Sequence, residues 1–247
     1  MPTTPALPPS PLANLSPAYF GMVMATGIVS IGAWRLGLPT LAWVLFALNA
    51  AAYLLLWLLY GLRLWRYPER FIGDLTDHLR GPGFFTTVAA TSIVGCQCVL
   101  LADNMVAGLV LWAFAILLWL ALTYAIFAIL TVKQEKPTLD KGISGGWLLA
   151  VVATQSIAVL STLLAAHADQ PYRMELNFLA LSMWLWGGML YIWIISLIFY
   201  RTQFLPLSPA DVTPPYWINM GAMAISTLAG SRLVINAPEA PFLLALL

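Results

Sequence analysis

Residues 145–166 read GGWLLAVVATQSIAVLSTLLAA, a run of 22 residues without a charged side chain. A helix that crosses a bilayer needs about 20 mostly apolar residues, so this run is long enough to span one. Six further stretches qualify, at 17–34, 41–61, 83–101, 105–132, 176–200 and 215–235. Another apolar run begins at residue 241, and because the sequence stops inside it we expect a truncated version of a longer protein. The sequence therefore predicts an all-α integral membrane protein.

Charged residues are too scarce to cover a water-facing surface. They make up 9% of the chain, whereas soluble domains carry about 25%. The net charge of +1 argues against a nucleic-acid partner, because such proteins present a basic patch. On a helix Cys96 and Cys98 would lie about 200° apart, so we expect neither a disulfide nor a metal site. The Pro-rich residues 1–16 predict a disordered cytoplasmic tail before a transmembrane domain over 17–247.

Basic residues are distributed unevenly between the loops. Eight of the eleven Lys and Arg residues follow the second, fourth and sixth spans, and the other three lie near the opposite span ends. The eight are Arg63, Arg66, Arg70, Arg80, Lys133, Lys136, Lys141 and Arg201. Basic loops stay on the cytoplasmic side of a membrane. The N-terminus is therefore predicted to be cytoplasmic, and every odd-numbered span to run from inside to outside.

The starts of the odd-numbered spans repeat. They fall at residues 17, 82, 145 and 214, which are separated by 65, 63 and 69 residues. Each start carries Pro or Gly and then an aromatic residue, and an Ala follows at one offset: Ala25, Ala90, Ala153 and Ala222. Proline suits a first turn, an aromatic anchors the interface, and a small residue permits close helix packing. Any membrane helix tends to start in this way, but four matching copies predict repeated helical hairpins.

Polar side chains are concentrated in the odd spans, and tryptophans in the even spans. Because polar groups in a bilayer face protein or water, the odd helices are predicted to form an inner ring around a pore inside a lipid-facing shell. The aligned positions form one stripe per inner helix, and we expect these stripes to line the pore. They are Tyr19, Met22, Thr26, Ser30, Phe84, Thr87, Thr91, Gly95, Trp147, Ala150, Thr154, Ala158, Tyr216, Asn219, Met223 and Thr227. The alternative is that these hydroxyls bond to the preceding turn or join helices.

No Asp, Glu, Lys, Arg or His lies deep in a predicted span. This argues against a proton pump, a retinal protein, an intramembrane haem site and an intramembrane protease, which need such groups. We therefore expect no enzymatic activity, no cofactor and no metal. The function that remains is conduction through an uncharged path, and we expect pore width and hydroxyl contacts to set its selectivity. Four inner-helix N-termini, with Arg80 and Lys141 beside them, favour anions.

Two segments resemble the tellurite-resistance/C4-dicarboxylate transporter family, which includes yeast malate permeases, sulfite efflux pumps and plant slow anion channels. They are SPAYFGMVMATGIVS at 16–30 and PPYWINMGAMAISTLAG at 214–230. The resemblance implies ten helices, built as five hairpins in a quasi-five-fold ring around a central pore. It also implies a homotrimer in the bacterial cytoplasmic (inner) membrane. The expected partners are the lipid bilayer and small anions such as malate, sulfite, tellurite, nitrate or chloride.

The sequence departs from that family pattern in length. It holds three and a half hairpins, so the ninth helix, which carries a pore-plugging Phe in the family, has no counterpart here. A ring without its last helices would expose the stripes of the first and seventh spans to lipid. The alternative function is a membrane sensor or assembly subunit that transports nothing. Asp74 and Asp77 either titrate at the pore mouth or lie in a solvated loop that balances nearby arginines, and we expect the second.

Overall fold

The computed structural model describes residues 11–244. Its α-helices are α1 (Phe20–Arg35), α2 (Pro39–Arg66), α3 (Pro68–Leu75), α4 (Phe85–Leu100), α5 (Met105–Val132), α6 (Leu139–Gly142), α7 (Leu149–Ala165), α8 (Tyr172–Phe204), α9 (Ile218–Asn236) and α10 (Pro241–Leu244). Seven of them, with their leading turns, are long and apolar enough to cross a membrane, which confirms the predicted fold class. Of the predicted tail at 1–16, residues 1–10 lie outside the described part.

A short 3-10 turn precedes each of the helices α1, α4, α7 and α9, which we call the inner helices. The four turns are Pro17–Tyr19, Gly81–Phe84, Gly145–Leu148 and Pro214–Trp217. A 3-10 turn is common at a helix start, and proline fits there because its missing N–H would have no intrahelical partner. The four repeat starts found in the sequence therefore share one local structure.

The inner helices form an arc. α1 packs against α4, α4 against α7, and α7 against α9. The 3-10 turns touch in the same order, and two glycines permit this approach: a side chain at Gly83 would press on Pro17, and one at Gly145 would run into the backbone of Pro215. The outer helices α2, α5 and α8 each lie against two inner helices: α1 and α4, α4 and α7, and α7 and α9 respectively. All four inner helices consequently begin at one end of the bundle, which we call the basic end.

Burial differs along the arc. Every residue of α7 is buried, and so is nearly all of α4. The outer helices expose Leu, Val and Trp side chains along one side, as expected of a surface that meets lipid. α1 and α9 stand at the two ends of the arc, and each keeps an exposed face. This arrangement agrees with the predicted division into inner and outer helices.

The outer helices α2 and α8 run further than hydropathy predicted. They cover Pro39–Arg66 and Tyr172–Phe204, against the predicted 41–61 and 176–200. The extra turns contain Arg63 and Arg201, which are 1% and 4% exposed. A hydropathy profile ends a span at a charge, but here each arginine pairs with a carboxylate in the following segment, so the helix continues.

The expectation of a solvated carboxylate is wrong for Asp74. This residue lies on α3, a short helix that the sequence analysis did not predict, and its carboxylate is buried. It does balance arginines, since it pairs with Arg63 at 2.5 Å and with Arg80 at 2.9 Å. The extension of α2 places Arg63 beside α3, and the ion pair is therefore buried between the two helices. Asp77 instead accepts hydrogen bonds from backbone N–H groups of the next turn.

Candidate functional site

The threonine hydroxyls of the predicted stripes meet the outer helices. Thr91 of α4 lies 2.9 Å from the hydroxyl of Tyr53 of α2. Thr154 of α7 accepts a hydrogen bond of 2.8 Å from the indole N–H of Trp119 of α5. Both threonines also donate to a backbone carbonyl one turn earlier. These two hydroxyls therefore join an inner helix to the outer helix of the preceding hairpin.

Other polar residues of the inner helices make the same kind of contact. Ser161 accepts a hydrogen bond of 2.8 Å from Trp112, and Asn219 accepts one of 2.9 Å from Tyr191. Ser30 donates to a backbone carbonyl of α2 at 2.8 Å. The alternative weighed from the sequence, in which hydroxyls bond to the preceding turn or join helices, describes these bonds. Lining of a pore by the stripes stays a prediction.

The sixteen predicted residues fall into two groups. Those on α4 and α7 and their turns are buried, apart from the half-buried Trp147: Phe84, Thr87, Thr91, Gly95, Ala150, Thr154 and Ala158. Those on α1 and α9 and their turns are more accessible. Tyr19, Met22, Met223 and Thr227 are exposed, Thr26, Tyr216 and Asn219 are half-buried, and Ser30 is buried. The stripes are therefore covered in the middle of the arc and open at its two ends.

A different face of α4 points toward the inside of the arc. Thr91 faces α2, and Gly95 packs against α5 and α7. Ile93 faces α1, because a side chain added at a buried glycine of α1 would press against it. With about 100° between successive residues, the sector between the sides toward α7 and α1 holds Ala89 and Cys96. Helical geometry therefore turns that sector away from α2 and α5.

The repeat places two residues of α7 at the same positions. The offset of 63 residues relates Ala89 to Val152 and Cys96 to Val159. We call Ala89, Cys96, Val152 and Val159 the axial face, and all four are buried. The sequence analysis missed this face because a hydroxyl pattern does not tell which neighbour it meets. The Trp and Tyr residues of the even spans were a usable signal, since their N–H and O–H groups need acceptors inside a bilayer.

The basic end carries a cavity of about 490 Å³ that cations and carboxylates line together. Lys141 and Arg201 contribute the positive charges, and Asp140 and Asp211 the negative ones. Hydrogen bonds from the backbone and hydroxyl of Ser208 hold the pKa of Asp211 below its usual range. Positive and negative charges are thus both present in the cavity at neutral pH, so cations alone do not line it.

The two basic residues expected to attract anions at this end differ in their surroundings. Lys141 is exposed and lines the cavity. The guanidinium of Arg80 is instead held by Asp74. Over residues 11–244 the structure has no group of three or more His, Cys, Asp or Glu side chains that could hold a metal ion, and Cys96 and Cys98 are free thiols.

Comparison with known proteins gives matches along nearly the whole chain. Residues 14–245 match the family described as voltage-dependent anion channel. Two proteins of Methanocaldococcus jannaschii, both described as uncharacterized transporters, are 24% and 26% identical to this chain over 238 and 239 residues. The alignments cover 92% of this chain and 67% and 66% of the relatives, so the chain spans about two thirds of their length. An uncharacterized membrane protein of Mycobacterium tuberculosis is 52% identical over 52 residues, which are 21% of this chain and 26% of that protein.

Proposed function

This chain belongs to the voltage-dependent anion channel family, and on that premise we propose that it carries small anions across a membrane. The substrates we propose are C4-dicarboxylates such as malate, or oxyanions such as sulfite and tellurite. The family match over residues 14–245 is the observation that carries the proposal. The proposed role is transport alone, with no catalytic step.

The arrangement of the inner helices supports this function. Their N-terminal turns meet at the basic end. A helix N-terminus has free N–H groups and partial positive charge, and both favour an anion. We propose that anions enter along the axis of the arc from this end. The uneven distribution of Lys and Arg supports a cytoplasmic basic end and N-terminus, in the inner membrane of a bacterium. The homotrimer implied by the resemblance is proposed with it.

Two faces are candidates for the lining of the path. The predicted stripes supply hydroxyls, but in α4 and α7 these hydroxyls bond to outer helices. The axial face supplies small and apolar side chains that the helical geometry turns away from the outer helices. We propose that the axial face lines the path in the middle of the arc. The stripes then contribute where they are open, at Tyr19 and Met22 of the first repeat and Met223 and Thr227 of the fourth.

Anion flux into liposomes tests the function. The purified chain is reconstituted and compared with one of the full-length archaeal relatives, with malate, sulfite, nitrate and chloride as substrates. Saturable flux in both supports transport by the part of the fold described here. Flux in the relative alone would show that residues 11–244 are insufficient for conduction. Absence of flux in both, with monodisperse folded protein, would favour the sensor or assembly function instead.

Cysteine accessibility tests the lining. Cys96 serves as the native axial residue after Cys98→Ala, and Val152→Cys adds a second axial position in a background without Cys96 and Cys98. Thr91→Cys and Thr154→Cys in that same background report on the stripes. We expect a small water-soluble thiol reagent to modify the axial cysteines faster during transport. Faster modification of the stripe cysteines would restore the stripes as the lining.

A further inference from the structure

A second cavity lies between the outer helices α5 and α8, and we call it the lateral cavity. Both helices pack against α7, and the space between them has a volume of about 310 Å³. This volume is within the range of small-molecule sites. Its walls are mainly apolar and aromatic, and they include Phe127 of α5, Trp147 of the turn before α7, and Leu190, Trp193, Ile194 and Leu197 of α8.

The lateral cavity opens on the lipid-facing surface near the basic end. Trp193 and Leu197 are exposed, so the cavity is accessible from outside the bundle. Trp147 belongs to the turn that begins α7, and Pro137 and Gly142, which also line the cavity, belong to the segment before it. Because all inner helices begin at the basic end, the cavity lies at that boundary of the membrane.

The inner wall of the cavity has few polar groups to offer a ligand. The indole N–H of Trp147 donates to the carbonyl of Gly142 at 3.0 Å, and the hydroxyl of Thr138 donates to the carboxylate of Asp140. The rings of Trp147 and Phe127 lie side by side, with centroids 6.1 Å apart. A buried water molecule needs several polar partners, whereas a hydrocarbon chain needs none. The wall therefore suits a hydrocarbon chain.

One edge of the cavity carries hydrogen-bond donors. His78 lines the cavity, and Nζ of Lys133 donates to the carbonyl of Thr76, two residues earlier, at 3.0 Å. Lys136 directly precedes Pro137 of the cavity wall. Burial, and after it the charge of Lys133, lowers the pKa of His78, so its ring is neutral at neutral pH and keeps one N–H donor. We call His78, Lys133 and Lys136 the basic rim.

The nearby carboxylates leave the ammonium groups of the basic rim available. Asp77 accepts hydrogen bonds of 2.9 and 2.8 Å from backbone N–H groups of the next turn. Glu135 is exposed, and the ion pairs of residues 11–244 involve neither Lys133 nor Lys136. Each ammonium has three N–H donors and uses one on a backbone carbonyl. Two donors per lysine therefore remain for an anionic group such as a phosphate.

A phospholipid combines both chemistries in one molecule. Its acyl chain matches the apolar wall, its phosphate matches the basic rim, and it occupies the same boundary of the membrane. Lysines beside a bilayer also attract lipid phosphates. A second copy of this chain would cover the apolar wall, but an apolar contact between copies gives no role to the cations of the rim.

We propose that the lateral cavity binds a phospholipid of the leaflet at the basic end, with one acyl chain in the cavity and the phosphate at the basic rim. The inference goes beyond the proposed transport and does not depend on it, because the cavity lies between outer helices. A bound chain would contact α5, α8 and the turn that begins α7. Occupancy should therefore stabilise the folded protein.

The test is the melting temperature of delipidated protein in dodecyl maltoside as dioleoyl phosphatidylglycerol is added. We expect a saturable rise, because a ligand that binds only the folded state stabilises it. Dioleoylglycerol has the same chains without the phosphate and should give a smaller rise at every concentration. An equal rise with both lipids would overturn the phosphate contact and the proposal with it.

Two substitutions fill the cavity. Ile194→Phe adds volume at a buried wall position, and Leu197→Trp adds it at an exposed one. Each should raise the half-saturating concentration of phosphatidylglycerol about tenfold, which corresponds to the exclusion of about two methylene groups of the chain. Leu185→Trp, at an exposed position of α8 outside the cavity, is the control and should not change it. Leu197→Trp keeps the test decisive if Ile194→Phe fails to fold.

Removal of the lysine charges tests the basic rim. Lys133→Gln combined with Lys136→Gln should raise the half-saturating concentration about tenfold or more, since each lysine beside a membrane contributes about fivefold. Lys141→Gln removes an exposed lysine of the same segment that lines the other cavity, and it should change nothing. An unchanged value in the double variant, or in both cavity variants, would overturn the site. Loss of an oligomer in Leu197→Trp, with the lipid response of the wild type, would assign the cavity to a contact between copies and overturn the proposal.

Discussion

The two ends of the inner-helix arc differ in whether their buried or half-buried arginines pair with a carboxylate. At the basic end the buried guanidinium of Arg63 meets Asp74, and that of Arg201 meets Asp211. At the other end Arg232 is half-buried, and the described residues give it no ion pair. A paired charge stabilises the fold but offers little to a ligand. An unpaired charge that is partly buried costs stability. The comparison therefore separates an end where buried arginines are compensated by carboxylates from an end where Arg232 has no such partner among the described residues.

The largest effect should come from breaking the pair at the basic end. Asp74→Asn leaves Arg63 buried without its counter-charge, which typically costs about 3–5 kcal/mol of the free energy of unfolding. Denaturation in detergent measures the loss. Glu69→Gln, at an exposed position on the same helix, is the control and should be close to neutral. A loss below about 1 kcal/mol for Asp74→Asn would place this ion pair in the class of surface pairs.

A smaller effect is expected at the contact between α5 and α7, where the indole N–H of Trp119 donates a hydrogen bond to Thr154. Thr154→Val leaves the indole N–H without an acceptor, which costs about 1–3 kcal/mol for a buried group. Trp119→Phe removes the donor and leaves the Thr154 hydroxyl bonded to its own helix, so we expect a smaller loss from this hydrogen bond. The double variant completes a cycle whose coupling energy isolates the bond. A coupling energy near zero would show that the contact between α5 and α7 is stabilised by packing alone.

Removal of the unpaired arginine should change stability in the opposite direction. Arg232→Leu eliminates a half-buried guanidinium whose Nε has no hydrogen-bond partner among the described residues, so we expect a gain of about 1 kcal/mol. Leucine is also the residue at positions 100 and 163, which the repeat spacings of 63 and 69 residues relate to position 232. The melting temperature in detergent measures the change. Destabilisation by Arg232→Leu would mean that Arg232 supports the fold, as the arginines at the basic end do.

The smallest effect is the pH dependence of the pair between Arg201 and Asp211. The pKa of Asp211 is lowered in the folded protein, chiefly by hydrogen bonds from Ser208. Its contribution is therefore complete above the unfolded carboxyl pKa of about 3.9 and is lost as the pH falls through the lower folded value. Melting curves between about pH 6 and about pH 3, a range that includes the unfolded carboxyl value, should show the loss in the wild type. Asp211→Asn should remove this part of the dependence, and an unchanged curve would contradict a contribution of the Asp211 carboxylate to stability.

Much of the fold could be predicted because its signals are local. About 20 apolar residues are required wherever a helix crosses a bilayer, so hydropathy alone located the seven spans. The repeat starts at residues 17, 82, 145 and 214 form four 3-10 turns in the structure. These turns could be expected because proline and glycine affect the backbone conformation of the turn in which they lie. The division into inner and outer helices followed from the rule that polar groups avoid lipid.

The candidate site was less predictable because it depends on neighbours. The hydroxyls of Thr91 and Thr154 were expected to line a pore, but an inner helix has several buried sides. Only the packed structure shows that Tyr53 and Trp119 approach these hydroxyls from the outer helices. Likewise, the loop position of Asp74 suggested solvent, and its burial depends on Arg63 eleven residues earlier.

The sequence by itself determined the membrane environment, the seven spans and the repeat, because apolar length and turn chemistry act within one helix. The tertiary structure decided which side of each inner helix faces a neighbour and which side faces the axis. It also decided which arginines find a carboxylate, because pairing depends on distances between segments that are far apart in the chain. Packing is the cause in both cases, since a helix face acquires a function only from what lies opposite to it.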